Sequence, residues 1–334
     1  NELSIKDSNA WIKLDYDLLD VKVYTNDKGA VGKDFGEFSI DRGPGLSVVA
    51  APVDGLALTG IVNKGGLASG AEGKLAKAGE GYGFLAKGEY AADLFTVGAG
   101  YQSERGKLPD PLNVGKYIYN KDASNRTALA VYGSMNVMDD LTIKAEYGNR
   151  VQGTKKDDKA ITAILAGAKY DDSVLVVDGS YLMADQGFKI QSDDDASEWL
   201  ARDIVKSGSW EASVVFVDAS YALNDALNVP LKVLGSFDYI LNAKADDVEI
   251  KFEDGNDMSY KAGLEYQFTD ALKAEGWYKG FGKFVDDKAH SQFGGKATYT
   301  FAKGVDGIFE LTNGRGASDS EAYTRYKAVL SATF

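Results

Sequence analysis

The chain has 334 residues, a formal net charge of −13 and no cysteine, which excludes disulfides, thiolate metal sites and thiol nucleophiles. So acidic a balance also argues against nucleic acid as a partner, because phosphate binding needs a basic footprint. Five prolines and 38 glycines suit a sheet-rich chain with many turns, and no apolar run approaches the roughly 18 residues of a transmembrane helix.

In chain order, residues 1–10 read as a leading segment and residues 11–334 as one β domain. The first strand is irregular: Ile12, Leu14, Tyr16 and Leu18 are in phase, but Val21 and Val23 have the opposite parity. Either a bulge at Leu18-Leu19 restores the register or the strand begins only near Leu19. Beyond it, seven sites repeat one punctuation, an apolar run that breaks at aspartate and restarts within about two residues. They are Val53-Asp54-Gly55-Leu56, Ala92-Asp93-Leu94, Asp139-Asp140-Leu141, Asp171-Asp172-Ser173-Val174, Asn224-Asp225-Ala226-Leu227, Thr269-Asp270-Ala271-Leu272 and Val305-Asp306-Gly307-Ile308. An aspartate carboxylate can accept a backbone N–H two residues on, and glycine supplies positive φ, so each site predicts a tight hairpin.

Reading outward from the turns gives sixteen strands, at 9–25, 38–52, 56–63, 80–90, 94–104, 126–137, 141–150, 159–170, 174–184, 210–222, 228–241, 257–268, 272–284, 291–301, 307–314 and 321–334. Tight and long connections alternate along the whole chain, as in an outer-membrane barrel with short periplasmic turns and long external loops. The expected fold is therefore all-β, a transmembrane antiparallel up-and-down β-barrel. Its hydropathy signal is weak because lipid-facing and lumen-facing residues alternate.

The alternation is plain in the second half. Tyr260, Ala262, Leu264, Tyr266 and Phe268 share one face, while Lys261, Gly263, Glu265 and Gln267 share the other. Tyr170, Tyr221, Phe268 and Phe301 stand close to tight turns, as in an aromatic girdle at headgroup level. Taking the aromatic parity as lipid-facing, the pore wall comprises Lys144, Glu146, Arg150, Asp178, Asp218, Lys232, Asp238, Lys261, Glu265, Lys273, Glu275, Lys279, Lys296, Glu310, Arg325 and Lys327. On the lipid side each Lys or Arg near the midplane would cost about 2–4 kcal/mol.

The third long connection, Arg105 to Arg126, is a candidate constriction carrying Lys107, Asp110, Lys116, Lys121 and Asp122, with Pro109 and Pro111 to stiffen its start. The acidic connections around Asp193-Asp194-Asp195 and Asp246 to Asp257 lack EF-hand spacing and read as solvated loops that would concentrate cations at a pore mouth. His290 and Ser291 are adjacent and so point to opposite faces, which prevents a nucleophile–base pair between them. No Gly-x-Ser-x-Gly elbow, phosphate loop or metal motif is present. Glu265 and Glu275 could act as an acid–base pair, yet carboxylates interleaved with lysines suit an aqueous wall as well. No catalytic, metal or cofactor site is expected.

The last strand, Glu321 to Phe334, places Tyr326, Ala328, Leu330, Ala332 and Phe334 on one parity and ends on an aromatic. It resembles the terminal strand of Gram-negative outer-membrane proteins, which the barrel-assembly machinery reads. With sixteen expected strands, the chain resembles the general diffusion porins. That resemblance implies an outer-membrane homotrimer embedded in lipid, with the third external loop folded inward, for passive diffusion of small hydrophilic solutes and ions. The glycine-rich, acidic, histidine-poor character is similar to the OmpM-type porins, which implies a barrel portion joined at residues 1–10 to an absent domain that contacts the cell wall. The alternatives are a sugar-type channel with Trp277 as a stacking surface, a structural envelope tether and a β-rich adhesin.

Overall fold

The computed structural model describes the chain except residues 1–10, 28–31, 34–42, 65–81, 106–107, 110–116, 119–124, 154–158, 189–199, 207, 209, 225–228, 252–256, 283–289, 317–320 and 333–334. It divides into two compact units, residues 1–135 with 144–164, and residues 136–143 with 165–334.

In the first unit, β1 (Trp11–Tyr16), β2 (Leu19–Asp27), β3 (Gly43–Val53), β4 (Leu56–Asn63), β5 (Tyr82–Ala91) and β6 (Phe95–Arg105) pair each with the next, antiparallel. The short β7 (Leu108–Pro109) and β8 (Tyr117–Ile118) pair with each other, and β6 continues the main ladder to β9 (Asn125–Met138). Then come β10 (Leu141–Gly153) and β11 (Lys159–Asp171). In the second unit, β12 (Leu175–Ala184), β13 (Glu211–Ala222) and β14 (Leu231–Ala245) are followed by β16 (Met258–Thr269), β17 (Leu272–Phe281), β18 (His290–Ala302), β19 (Val305–Gly314) and β20 (Tyr323–Ala332) in the same up-and-down order. The stub β15 (Val248–Glu249) folds back on β14, and one helix, α1 (Ala201–Lys206), lies between β12 and β13. Among the described residues, eighteen strands share one sheet.

The sheet thus has eighteen strands where sixteen are expected, and both additions have a local cause. The irregular first strand is two strands. Ile12 faces Val23, Leu14 faces Val21 and Tyr16 faces Leu19 across a two-residue turn at Asp17-Leu18. The parity switch at Leu18-Leu19 is therefore a reversal, not a bulge. The second addition is β15, formed because Asp246 and Asp247 both take positive φ (48° and 65°) and turn the chain straight back.

Most of the aspartate turns stand where expected. Asp172 accepts the N–H groups of Val174 (3.0 Å) and Leu175 (2.7 Å), closing its reversal as an Asx turn. At the next but one, Thr269 takes that role, with its Oγ1 accepting the N–H of Leu272 (3.0 Å) beside Asp270. Two expectations shift. The last tight turn lies at Lys303-Gly304, where Gly304 has φ +80°, and Asp306 sits inside β19 accepting the Thr300 hydroxyl at 2.7 Å. The connection between β13 and β14 spans residues 223–230, longer than a hairpin turn, with Leu223 N–H bonded to Leu231 C=O at 2.8 Å.

Candidate functional site

Most strands present two unlike rows, with burial inverted between them, whereas β1 is exposed on both. On β16 to β18, Tyr260, Leu264, Phe268, Tyr278, Phe293, Tyr299 and Phe301 are exposed, whereas Ser259, Gln292 and His290 on the opposite parity are buried. In the first unit Phe84, Val97, Tyr101, Leu129 and Val131 are exposed, while Asn63, Gln102 and Glu104 are fully covered. A sheet that uncovers so many leucines and aromatics on one row while covering Asn63, Gln102 and Glu104 on the other, beside a smaller set of buried apolar residues such as Leu85 and Leu182, departs from the burial preferences of an ordinary core. The exposed rows carry aromatics near both strand ends: Tyr260 and Phe268 on β16, Phe293 and Phe301 on β18. Eight residues of strand separate each pair, about 26 Å along the chain axis. The turn-proximal Tyr170, Tyr221, Phe268 and Phe301 are all exposed, and Phe268 and Phe301 make edge contacts with Tyr266 and Tyr299 at 4.7 and 4.9 Å.

The sixteen residues expected as wall fall on the covered parity of nine strands. Lys144, Glu146 and Arg150 are on β10, Asp178 on β12, Asp218 on β13, Lys232 and Asp238 on β14, and Lys261 and Glu265 on β16. Lys273, Glu275 and Lys279 are on β17, Lys296 on β18, Glu310 on β19, and Arg325 and Lys327 on β20. The register joins several of them into one row across five strands, Glu265–Glu275–Lys296–Glu310–Lys327. Two carboxylates directly opposite would repel, and diagonal lysines offset this: Lys273 pairs with Glu265 at 3.1 Å and Lys261 with Glu275 at 2.7 Å.

Trp277 lies on this same covered face between two glycines, Gly263 and Gly294. The ring packs against Gly294, where any Cβ would meet it. Lys279 and Lys261 stand 4.8 and 5.9 Å from the ring centroid, within cation–π range. His290 is buried with Nδ1 2.5 Å from the Gly316 carbonyl, which ties β18 to the connection after β19.

Sequence reading misses several charges on the covered face. In the first unit Glu104 accepts from Arg126 Nε at 2.6 Å, and Tyr132 donates to Glu89 at 2.7 Å with Lys87 over its ring at 5.0 Å; the expected wall residue Glu146 accepts the Lys33 N–H at 3.0 Å. In the second unit the missed residue is Arg202. Its Nε donates to Asp238 at 2.7 Å, its Nη2 to Asp218 at 3.0 Å, and its own backbone N–H to Asp238 at 3.0 Å. The guanidinium also lies 4.4 Å from the Phe216 ring. Beside it Ala201 N–H donates to Ser259 Oγ at 2.8 Å. Around this cluster Phe188, Leu200, Val205 and Trp210 of the β12–β13 connection are buried with Leu182, Val214 and Ile240. A sequence signal for this exists: β13 reads Val214-Val-Phe-Val217, an unbroken apolar run expected when both faces of a strand are covered.

The five candidate constriction residues, Lys107, Asp110, Lys116, Lys121 and Asp122, lie outside the described residues. Of the terminal-strand residues, Tyr326 and Leu330 are 68% and 73% exposed on the apolar row, which Ala328 shares; the Ala332 side chain and Phe334 lie outside the described set.

No family model matches the chain, and no curated protein matches it. Among solved structures it is similar to Pseudomonas aeruginosa OpdK with vanillate, at 12% identity over 97% of this chain and 78% of that one, TM-score 0.49. A second structure of OpdK, an outer membrane protein, gives 11% identity over 97% and 79%, TM-score 0.49. A ferric enterobactin receptor variant from the same organism, PfeA in complex with enterobactin, gives 16% identity over 95% and 62%, TM-score 0.43.

Proposed function

We propose that residues 11–334 form a transmembrane β-barrel of an outer membrane that conducts small hydrophilic solutes and ions by passive diffusion. The observation that carries this reading is the inverted burial. A water-exposed sheet with Leu264, Phe293, Phe301, Phe309 and Leu330 all uncovered would present an apolar surface far beyond what monomeric proteins tolerate in water. Hydrocarbon is the solvent that suits that row. The opposite row, with ion pairs of both signs, suits an aqueous wall. Within each unit the described strands form antiparallel ladders in which a strand bonds to the next, and closing the edges of β1 and β20 is what this reading adds to meet the other demand of the bilayer core.

On this reading the sixteen wall residues line water, and the exposed Tyr326 and Leu330 belong to the terminal signal for barrel assembly. The chemistry requires no cofactor. Planar-bilayer recording on the purified chain tests the reading: discrete, ohmic conductance steps are expected, in threes if the barrel is a trimer. A purified, heat-modifiable barrel with no conductance in any salt would overturn it.

A second reading is a channel with solute preference; Trp277, the residue expected to stack rings in it, stands on the polar row beside Lys261 and Lys279 but is 9% exposed with its ring against Gly294, so it supplies no open stacking face of its own. Liposome swelling across a size-graded sugar series separates the two, since a general pore discriminates by size alone.

A further inference from the structure

Two members of the eighteen-strand sheet are unlike the rest. The stub β15 has two residues. β1 has six, about 20 Å of strand, where a membrane crossing takes about 9–11 residues. Without these two, sixteen of the eighteen strands remain, running from β2 to β20. That even number lets the first and last members close antiparallel.

Closure asks which strand meets β20, and β1 points the wrong way. It runs toward the tight turn at Asp17-Leu18. β19 leaves the tight turn at Lys303-Gly304, so β20 runs back toward a tight-turn end. In a barrel whose tight turns share one side, β1 and β20 are therefore parallel, whereas β2 and β20 are antiparallel.

The hold of β1 on β2 is weak. Two of its six register pairs set like charges directly opposite, Lys13 against Lys22 and Asp15 against Asp20. Lys13 offsets this by bridging Asp15 at 2.5 Å and Asp20 at 3.3 Å, and Lys22 stands 5.7 Å from the exposed Trp11 ring. Exposed ion pairs of this kind contribute little. Neither Asp17 nor Leu18 takes the positive φ that the favoured two-residue hairpin turns require. β2 is anchored without β1: the Leu18 carbonyl just before it accepts the Ala51 N–H at 2.9 Å, and Leu19 to Tyr24 pair in register with β3.

We propose that β1 is an exchangeable edge strand, which covers the edge of β2 until β20 arrives and then leaves, so that the membrane wall closes as β2 to β20. The incoming strand has more to offer. β2 has nine residues and β20 ten, so their pairing can extend over nine positions against six for β1. Each backbone group paired this way is one that hydrocarbon would otherwise leave unsatisfied. Their apolar rows also match, Leu19, Val21 and Val23 on β2 with Tyr326, Ala328 and Leu330 on β20. Guarding the edge beforehand has a physical reason, because an unpaired strand edge is a template for other chains. This rests on the barrel reading above and removes β1 from its wall.

The test uses the whole chain, which has no native cysteine, assembled into phospholipid vesicles. Leu19→Cys, Val21→Cys and Val23→Cys on β2, and Ile12→Cys and Leu14→Cys on β1, are each combined with Tyr326→Cys, Ala328→Cys and Leu330→Cys on β20, then oxidised. At least one β2–β20 combination should cross-link within the heat-modifiable band, and no β1–β20 combination should. Excising residues 11–16 should leave that band and the single-channel conductance unchanged. Lys13→Cys/Lys22→Cys, a register pair, locks β1 onto β2; its oxidised form should lose most of the heat-modifiable band, and reduction should restore it. Cross-links from β1 to β20, or none from β2 to β20, refute the exchange and leave the barrel reading intact. A wild-type chain with no heat-modifiable band refutes the barrel reading itself.

Discussion

Leu264 gives the most direct measure of what the apolar row faces. It stands on β16 four residues from Tyr260 and four from Phe268, about 13 Å along the strand from each, and it is 52% exposed. Its cross-strand partners are Val233 and Gly276, so no carboxylate is directly opposite. A lysine there is too far from either aromatic level for its ammonium to reach water easily. Leu264→Lys should therefore cost about 2–4 kcal/mol, the midplane penalty for a lipid-facing lysine, equal to roughly a 30- to 900-fold change in the folding equilibrium. Met258→Lys, on the same row but beyond Tyr260, should cost about 0–1 kcal/mol. Glu265→Gln, one residue along on the other face, removes a half-exposed pair with Lys273 and should also stay within about 1 kcal/mol. Equilibrium urea titration in phospholipid vesicles, followed by tryptophan fluorescence and extrapolated linearly, reads all three. If Leu264→Lys costs no more than Met258→Lys, the row faces water and the membrane reading fails.

Three further outcomes follow from single contacts. Glu104→Ala leaves Arg126 beside an emptied, fully covered position, and it should destabilise by roughly 3–5 kcal/mol in the same titration, with Glu104→Ala/Arg126→Ala costing less than the sum of the singles. Gly294→Ala pushes a Cβ into the Trp277 ring and toward the Leu311 carbonyl at 2.7 Å; a loss of about 1–3 kcal/mol with a shifted Trp emission is expected, and an unchanged spectrum would show that the ring does not lie there. At the turn, hydrogen bonds from the Leu175 N–H, then from the Tyr170 hydroxyl and the Val174 N–H, hold the Asp172 pKa below the ordinary aspartate value of 3.8. Its contribution is thus full above that value and is lost as pH falls through the lowered folded pKa. The stability gap between wild type and Asp172→Ala should be constant at neutral pH and close only below 3.8; a gap that closes above pH 5 would contradict the Asx-turn account.

Much of the strand pattern was legible because its determinants are local. A carboxylate two residues before a backbone N–H, as at Asp172, or a strict two-residue alternation, as from Tyr260 to Phe268, needs no distant partner to be read. The misplaced last turn shows the limit of that logic. Asp306-Gly307 has the composition of a reversal, but Gly304 is also present, and only cross-strand pairing of Thr300 with Asp306 decides between them. At the first hairpin the parity switch was visible and its cause was not, since a bulge and a two-residue turn shift parity alike.

Arg202 was illegible for a different reason. Its role depends on strands and a connection that meet only after the sheet has formed: the aspartate beside it in sequence is Asp203, whereas the carboxylates it bonds lie 16 and 36 residues on, at Asp218 and Asp238. What the sequence does contain is a contradiction: Asp178, Asp218 and Asp238 share the covered face of neighbouring strands with Leu182, Val214, Phe216 and Ile240. An aqueous wall has no use for buried leucine and isoleucine, and an apolar core has no use for three acids. Both are satisfied only if part of the chain covers this sector with an apolar foot and one cation. In an alternating sheet, then, a run such as Val214 to Val217 that breaks the two-residue rule marks where another element, here α1, packs on the covered face, and acids beside it indicate the charge that the element must carry.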